Sequence, residues 1–112
     1  MNGECIAAIS TAPAAGGVAI IRISGAEALP VAEKVFSPSG KTAVKKFKPR
    51  YMYSGNITAA GGITDFGLCV YFKAPHSFTG EDVVELHCHG GEELSRAVLR
   101  AELAAGARPA KA

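Results

Sequence analysis

Residues 82–89, Asp-Val-Val-Glu-Leu-His-Cys-His, alternate in character and run straight into two glycines, Gly90 and Gly91. Alternation of this kind marks a β-strand with two unlike faces. Side chains alternate sides along a strand, so Val83, Glu85, His87 and His89 share one face. Val84, Leu86 and Cys88 share the other, which is apolar and is expected to meet a core. The first face sets Glu85, His87 and His89 in a row, each about 6–7 Å from the next. Gly90-Gly91 breaks the strand, and a helical pattern follows. A polar row ending at a strand–glycine–helix turn is the natural place to look for a ligand.

A chain of 112 residues, 48% of them apolar, can bury a core as one domain without disulfides. The net charge of +2 does not advertise nucleic-acid binding by the whole surface. The uninterrupted apolar runs, such as residues 5–9 and 18–21, are too short to cross a bilayer. Glu4 stands where a signal peptide would carry basic residues. Cys5, Cys69 and Cys88 show no C-x-x-C spacing and read as reduced thiols of a cytoplasmic protein.

Residues 6–9 read as a short strand, 10–17 as a loop with Pro13 and Gly16-Gly17, and 18–23 as a β-branched second strand. Arg22 is the odd member of that strand, because a charge inside an apolar run needs a partner or a ligand. A salt bridge to a nearby acid at the strand's solvent end accounts for it equally well. Ser24 to Glu27 has capping-box spacing, which predicts a helix start near Ser24. Pro30 sits badly in such a helix and favours a single turn followed by a helix over 30–36. Ala28, Val31, Ala32 and Val35 supply its apolar face.

Residues 37–50 form a polar connection with Lys41, Lys45, Lys46, Lys48 and Arg50. Gly40-Lys41-Thr42 resembles the tail of a phosphate-binding loop. The glycine required five positions earlier is Val35, and Pro49 soon follows, so nucleotide binding here is rejected. The basic run reads first as a solvated face and second as a docking patch for RNA or a partner. Residues 51–58 and 65–73 read as strands of a hairpin about the turn at 59–62. Residues 74–80 form a loop. Residues 92–105 form a helix with Leu94, Val98, Leu99 and Leu103 as its apolar face, stopped by Gly106. Extended chain resumes over 107–110. This order predicts an α+β domain, a mixed β-sheet covered by two or three helices.

The polar row admits three readings from its residues. Glu85, His87 and His89 are metal-ligand types, but three neighbours on one straight strand do not readily converge on one ion. Cys88 as a nucleophile fails, because alternation places it on the opposite face from both histidines. The third reading is recognition of a polar organic ligand. A carboxylate such as Glu85 accepts two hydrogen bonds from an N–C–N edge like that of guanine or a pterin, while Arg22 takes a carbonyl, a carboxylate or Glu85 itself. Ordinary solvent-facing acids at 81, 82 and 85 would give the same pattern.

Three blocks carry a resemblance. They are residues 6–11 continuing to Gly16-Gly17-Val18-Ala19-Ile20-Ile21-Arg22-Ile23-Ser24-Gly25, then residues 75–91 with Phe78-Thr79-Gly80-Glu81-Asp82 leading into the alternating strand, then Gly106-Ala107-Arg108. In this order and spacing they resemble the N-terminal domain of the bacterial tRNA modification GTPases MnmE, also called TrmE. The likeness covers essentially the whole chain, most weakly between 36 and 62. It implies one domain over 1–112, apparently truncated before the family's helical and GTP-binding domains. It also implies a fold similar to the tetrahydrofolate-binding domains of glycine-cleavage T-proteins.

Functionally, the resemblance implies a homodimer that binds formyl-tetrahydrofolate. The family modifies the wobble uridine of tRNA with a carboxymethylaminomethyl or aminomethyl group. Arg22 and Glu85 match the family's folate-contacting residues, with His87, His89 and Gly90 as pocket neighbours and no metal. The family's full-length proteins use GTP with Mg and K and work with the FAD-dependent enzyme MnmG (GidA) in the cytoplasm, with no membrane association. The fragment alone is expected to do no chemistry. Where the family reads Pro-Pro-Gly-Arg, this chain has Ala12-Pro13-Ala14-Ala15, so the role of that basic residue has no carrier here. A dimerisation module without ligand binding is the alternative, and a metal-dependent enzyme using Glu85, His87 and His89 is a weaker one.

Overall fold

The computed structural model describes residues 5–9, 17–77, 79–89 and 92–109, with only the backbone of Glu92. Seven strands and two helices account for most of them. They are β1 (Cys5–Ile9), β2 (Val18–Gly25), α1 (Ala28–Val35), β3 (Phe36–Pro38), β4 (Met52–Thr58), β5 (Thr64–Phe72), β6 (Val83–His89), α2 (Glu92–Ala104) and β7 (Arg108–Pro109). The strands form one sheet in the order β3-β4-β5-β6-β2-β1-β7. The β1–β7 pairing is parallel and the others antiparallel, so the sheet is mixed and the fold is α+β. Among the described residues no helix is long and apolar enough to cross a membrane.

Register settles which side chains share a face. Ala19, Ile21 and Ile23 of β2 line up with Cys88, Leu86 and Val84 of β6, and Leu86 and Val84 with Cys69 and Tyr71 of β5. All of these are buried, together with Ala28, Val31, Ala32 and Val35 of α1 and Ala97 and Val98 of α2. Both helices therefore cover this face. The opposite face carries Val18, Ile20 and Arg22 of β2, Glu85 and His87 of β6, Phe66, Leu68 and Val70 of β5, and Met52 of β4. Val18, Phe66 and Met52 there remain largely exposed.

Strand and hairpin positions follow the sequence pattern closely; three local features differ. The first is the start of α1. Ser24 stays in β2 opposite Val83, and its hydroxyl bonds Thr79 at 2.7 Å, so no capping box forms. The helix begins at Ala28 behind Glu27, without a side-chain cap. Pro30 then falls in the first turn, where a backbone N–H has no acceptor within the helix, and the proline is tolerated.

The second is the connection read as polar, which contains β3 and a 3₁₀ turn over Val44–Lys46. Val44 and Phe47 are buried beneath it. The third is the rotation of α2. Ser95, Val98 and Glu102 are fully buried, whereas Leu94, Leu99 and Leu103 are only half-buried at its flanks. The small side chains of Ser95 and Ala97 face the sheet with Val98, and the leucines pack against the core from the two flanks. The predicted loop over 10–17 and the Gly90-Gly91 break lie outside the described residues, apart from Gly17.

Candidate functional site

Antiparallel pairing of β2 with β6 sets Arg22 directly opposite Glu85. Cross-strand neighbours lie about 4.5–5.5 Å apart at Cβ, within reach of an ion pair. Arg22 Nε donates to Glu85 Oε2 at 2.8 Å. Ala8 of β1 lies beside Arg22 and Val70 of β5 beside Glu85, so apolar neighbours flank the pair on both sides. The Glu85 side chain is 7% exposed and that of Arg22 35%. The acid is thus buried while the guanidinium reaches solvent. Removing a carboxylate from water is costly, and the charge-assisted bond offsets that cost.

His87 stands two residues on, along the same face. Its Nε2 meets Glu85 Oε1 at 2.9 Å. Both oxygens of Glu85 are therefore engaged, one by Arg22 and one by His87. Each carboxylate oxygen has a second lone pair, so the group retains acceptor capacity. His89 does not join the cluster. Beyond the Leu68–His87 pair the β5–β6 ladder ends. There Asp65 takes over from the backbone, accepting from the His89 N–H at 3.0 Å and meeting its ring Nδ1 at 2.7 Å. The row Glu85, His87, His89 is split between two partners. Among the described residues no group of three His, Cys, Asp or Glu side chains is placed to hold a metal ion.

Two cavities flank the charged cluster. One of about 340 Å³ is lined by Val18, Phe66, Gly67, Leu68, His87 and His89. The other, of about 180 Å³, is lined by Ile6, Ala8, Arg22, Ser24, Thr79 and Val83. The larger falls in the range of about 300–1,000 Å³ usual for small-molecule sites. A Cβ at Gly67 would stand 2.3 Å from the carbonyl oxygen of His87, so the bare glycine lets β5 approach His87 closely. Ser24 and Thr79 form a polar rim at the smaller cavity, with Ser24 Oγ 2.7 Å from Thr79 Oγ1 and 3.5 Å from Glu81 Oε1.

Sequence reading picked Arg22, Glu85 and His87, and the fold brings these three together. It sets His89 apart on Asp65, and Gly90 lies outside the described residues. It did not find the Ser24–Thr79 rim or the Asp65 clamp, since those partners are 55 and 24 residues apart in the chain. The three thiols are buried. Burial pushes Cys69 up to about 12 and Cys5 and Cys88 to about 11, and all three are unpaired.

Comparison with known proteins gives a consistent answer. The profile described as "GTP-binding protein TrmE N-terminus" matches residues 5–112. A tRNA modification GTPase MnmE of Saccharophagus degradans is 49% identical over 111 residues, covering 98% of this chain and 23% of that protein. Its counterpart in Symbiobacterium thermophilum is 46% identical, covering 99% and 24%. That of Clostridioides difficile is 42% identical, covering 97% and 24%. The chain spans about a quarter of the length of the curated relatives it matches.

Proposed function

Since the chain belongs to the family of TrmE N-termini, we propose that it is the folate-binding and dimerising part of a cytoplasmic GTPase that modifies the wobble uridine of tRNA. The observation that carries this reading is the buried Glu85, held by Arg22 and His87 between two cavities. The donor set suits formyl-tetrahydrofolate. A pterin presents an N–C–N edge of donors, and Glu85 keeps one lone pair on each oxygen for such an edge. Arg22 carries five N–H donors in a planar fork, of which Nε serves Glu85. His87 fixes the carboxylate's second oxygen and lines the larger cavity. The folate supplies a one-carbon unit. This chain's residues bind and orient it, while GTP, with Mg and K, and the FAD-dependent partner MnmG act through the longer protein.

Calorimetric titration of the 112-residue chain with formyl-tetrahydrofolate tests the reading. Arg22→Ala and Glu85→Ala each remove one charge-assisted contact at a buried site. Each is expected to weaken binding about ten- to a hundredfold, from roughly 1.5–3 kcal/mol. A folded parent chain that shows no binding sinks the folate assignment.

One observation favours a second reading alongside the first, that of a dimerisation module. Val18, Met52 and Phe66 lie exposed on the sheet face that no helix covers. Large apolar side chains left exposed on an uncovered sheet face are what an association site requires. Sedimentation equilibrium checks it, with Phe66→Asp and Val18→Asp expected to shift the chain toward monomer.

A further inference from the structure

Charge is unevenly distributed along this chain. Residues 34–64 hold six of its twelve Lys and Arg and none of its ten Asp and Glu. The rest of the chain therefore carries six basic residues against ten acids. Five of the six, Lys41, Lys45, Lys46, Lys48 and Arg50, fall in the connection between β3 and β4, and all five are exposed. Among the described residues none of their side chains forms an ion pair.

This connection is held firmly in place. Val44 and Phe47 are buried beneath it at 2% and 4% exposure. The Lys48 N–H donates to the Tyr53 hydroxyl at 2.8 Å, and the Arg50 N–H donates to the Tyr71 carbonyl at 2.7 Å. Phe47 stacks on Tyr53 with centroids 3.7 Å apart and planes 4° from parallel. Tyr51 leans on Tyr53 at 4.8 Å and is 58% exposed. The result is a column of rings that begins in the core and ends in solvent, set among cations. A cavity of about 230 Å³ opens beside it, lined by Gly40, Thr42, Tyr51, Tyr53 and Ser54 among others. Arg50 has φ of +62°, a conformation that glycine adopts without cost and that costs other residues about 1–2 kcal/mol. An arginine held in such a conformation, with its side chain exposed, points to a task for that side chain.

Fixed cations neutralise phosphates, and an exposed ring over a rigid stack accepts a base. From these observations we infer that the β3–β4 connection is an RNA-binding surface. Its cations contact the phosphodiester backbone and Tyr51 stacks on an unpaired base. The surface is separate from the Arg22–Glu85 cluster, and its choice of partner rests on the reading that the longer protein acts on tRNA.

Fluorescence anisotropy tests the inference, using a fluorescein-labelled RNA hairpin with a single-stranded loop, titrated across a salt series. The parent chain binds, and affinity falls with salt. Lys45→Ala with Lys46→Ala lowers affinity about tenfold or more near 0.1 M salt and flattens the logarithmic salt slope by roughly 1–2. Tyr51→Ala lowers it about fivefold to a hundredfold, and Tyr51→Phe restores it. Arg50→Gly weakens RNA binding while keeping or raising the melting temperature, a combination that a purely structural role would not produce. Arg100→Ala on α2 leaves affinity unchanged.

Absence of RNA binding by the folded parent overturns the inference, as does an equal loss from Arg100→Ala. Equal binding to polyglutamate with no effect of Tyr51→Ala overturns it too, in favour of an acidic protein partner. Folate titration of the same variants keeps the two readings apart. Folate affinity unchanged with RNA binding absent removes only this surface, whereas the reverse removes only the folate site.

Discussion

Two glutamates are buried against the same sheet, one on each face, and their surroundings differ in kind. Glu85 lies on the uncovered face at 5% exposure, with Arg22 on one carboxylate oxygen and His87 on the other. Glu102 lies beneath α2 on the covered face at 0% exposure, and among the described residues neither of its oxygens has a hydrogen-bond partner. It sits close enough to Cys5, Cys69 and Cys88 to add to the upward shift that burial gives each thiol. Desolvation alone pushes Glu102 well above the ordinary carboxylate value. Burial is common to both, so burial alone does not mark a recognition site. Partners that engage the carboxylate while leaving lone pairs available are what mark one.

The strongest way to break the contrast is to turn Glu85 into a second Glu102. Arg22→Ala leaves Glu85 buried with only His87 beside it. Breaking a buried pair from one side costs about 3–5 kcal/mol, and the partial exposure of Arg22 lowers the expected loss to about 2–3 kcal/mol. Urea denaturation is the check. Arg22→Leu combined with Glu85→Leu should cost less than Arg22→Leu alone, because the orphaned charge is gone. A double variant no more stable than the single one would mean that the strands, not the charges, carry the cost.

The opposite substitution sharpens the contrast from the other face. Glu102→Leu removes two unsatisfied oxygens from an apolar site and should stabilise the chain by about 1–3 kcal/mol. The pH dependence has a definite sign. Below about pH 4.5, folded and unfolded states both hold the Glu102 proton, and stability from this group is intact. As pH rises past that value, the unfolded chain releases its proton while the folded chain keeps it. Stability then falls by at most about 1.4 kcal/mol per pH unit until the folded group ionises. Glu102→Gln, neutral at every pH, should match the parent near pH 4 and exceed it near pH 7. Parallel curves across that range would show that Glu102 finds a partner in solution.

Glu102 also shows where sequence reading reaches its limit. Alternation over 82–89 and the β-branched run at 18–23 located two central strands, because period-two patterns report local geometry. The same patterns singled out Arg22 and Glu85 as charges on strands, and strand register made them neighbours. The helical period of α2 placed its leucines at the core. The most deeply buried stripe is instead Ser95, Val98 and Glu102, with the leucines at its flanks, a rotation that tertiary packing decides and periodicity does not. Ser24 has the right spacing for a cap, yet the Thr79 hydroxyl and pairing with Val83 hold it in β2. Buried Val44 and Phe47 were hidden inside a run that composition marks as solvent-facing.

The two histidines of the polar row provide the finest test of the contrast. His87 is mostly buried, with an 18% exposed side chain, and holds Glu85 Oε1, so His87→Ala frees one oxygen of the carboxylate that the folate reading depends on. The His89 side chain is 74% exposed, and its ring pairs with Asp65 rather than Glu85. Exposed pairs contribute about 0–1 kcal/mol, so His89→Ala should leave urea stability nearly unchanged. Titrated with formyl-tetrahydrofolate, His87→Ala should lose about three- to tenfold in affinity, the equivalent of roughly 1 kcal/mol, and His89→Ala less than about threefold. Both histidines line the larger cavity, so wall contact alone predicts equal losses. Unequal losses in the stated order would assign binding to the partnered carboxylate, and equal ones would assign it to the cavity wall.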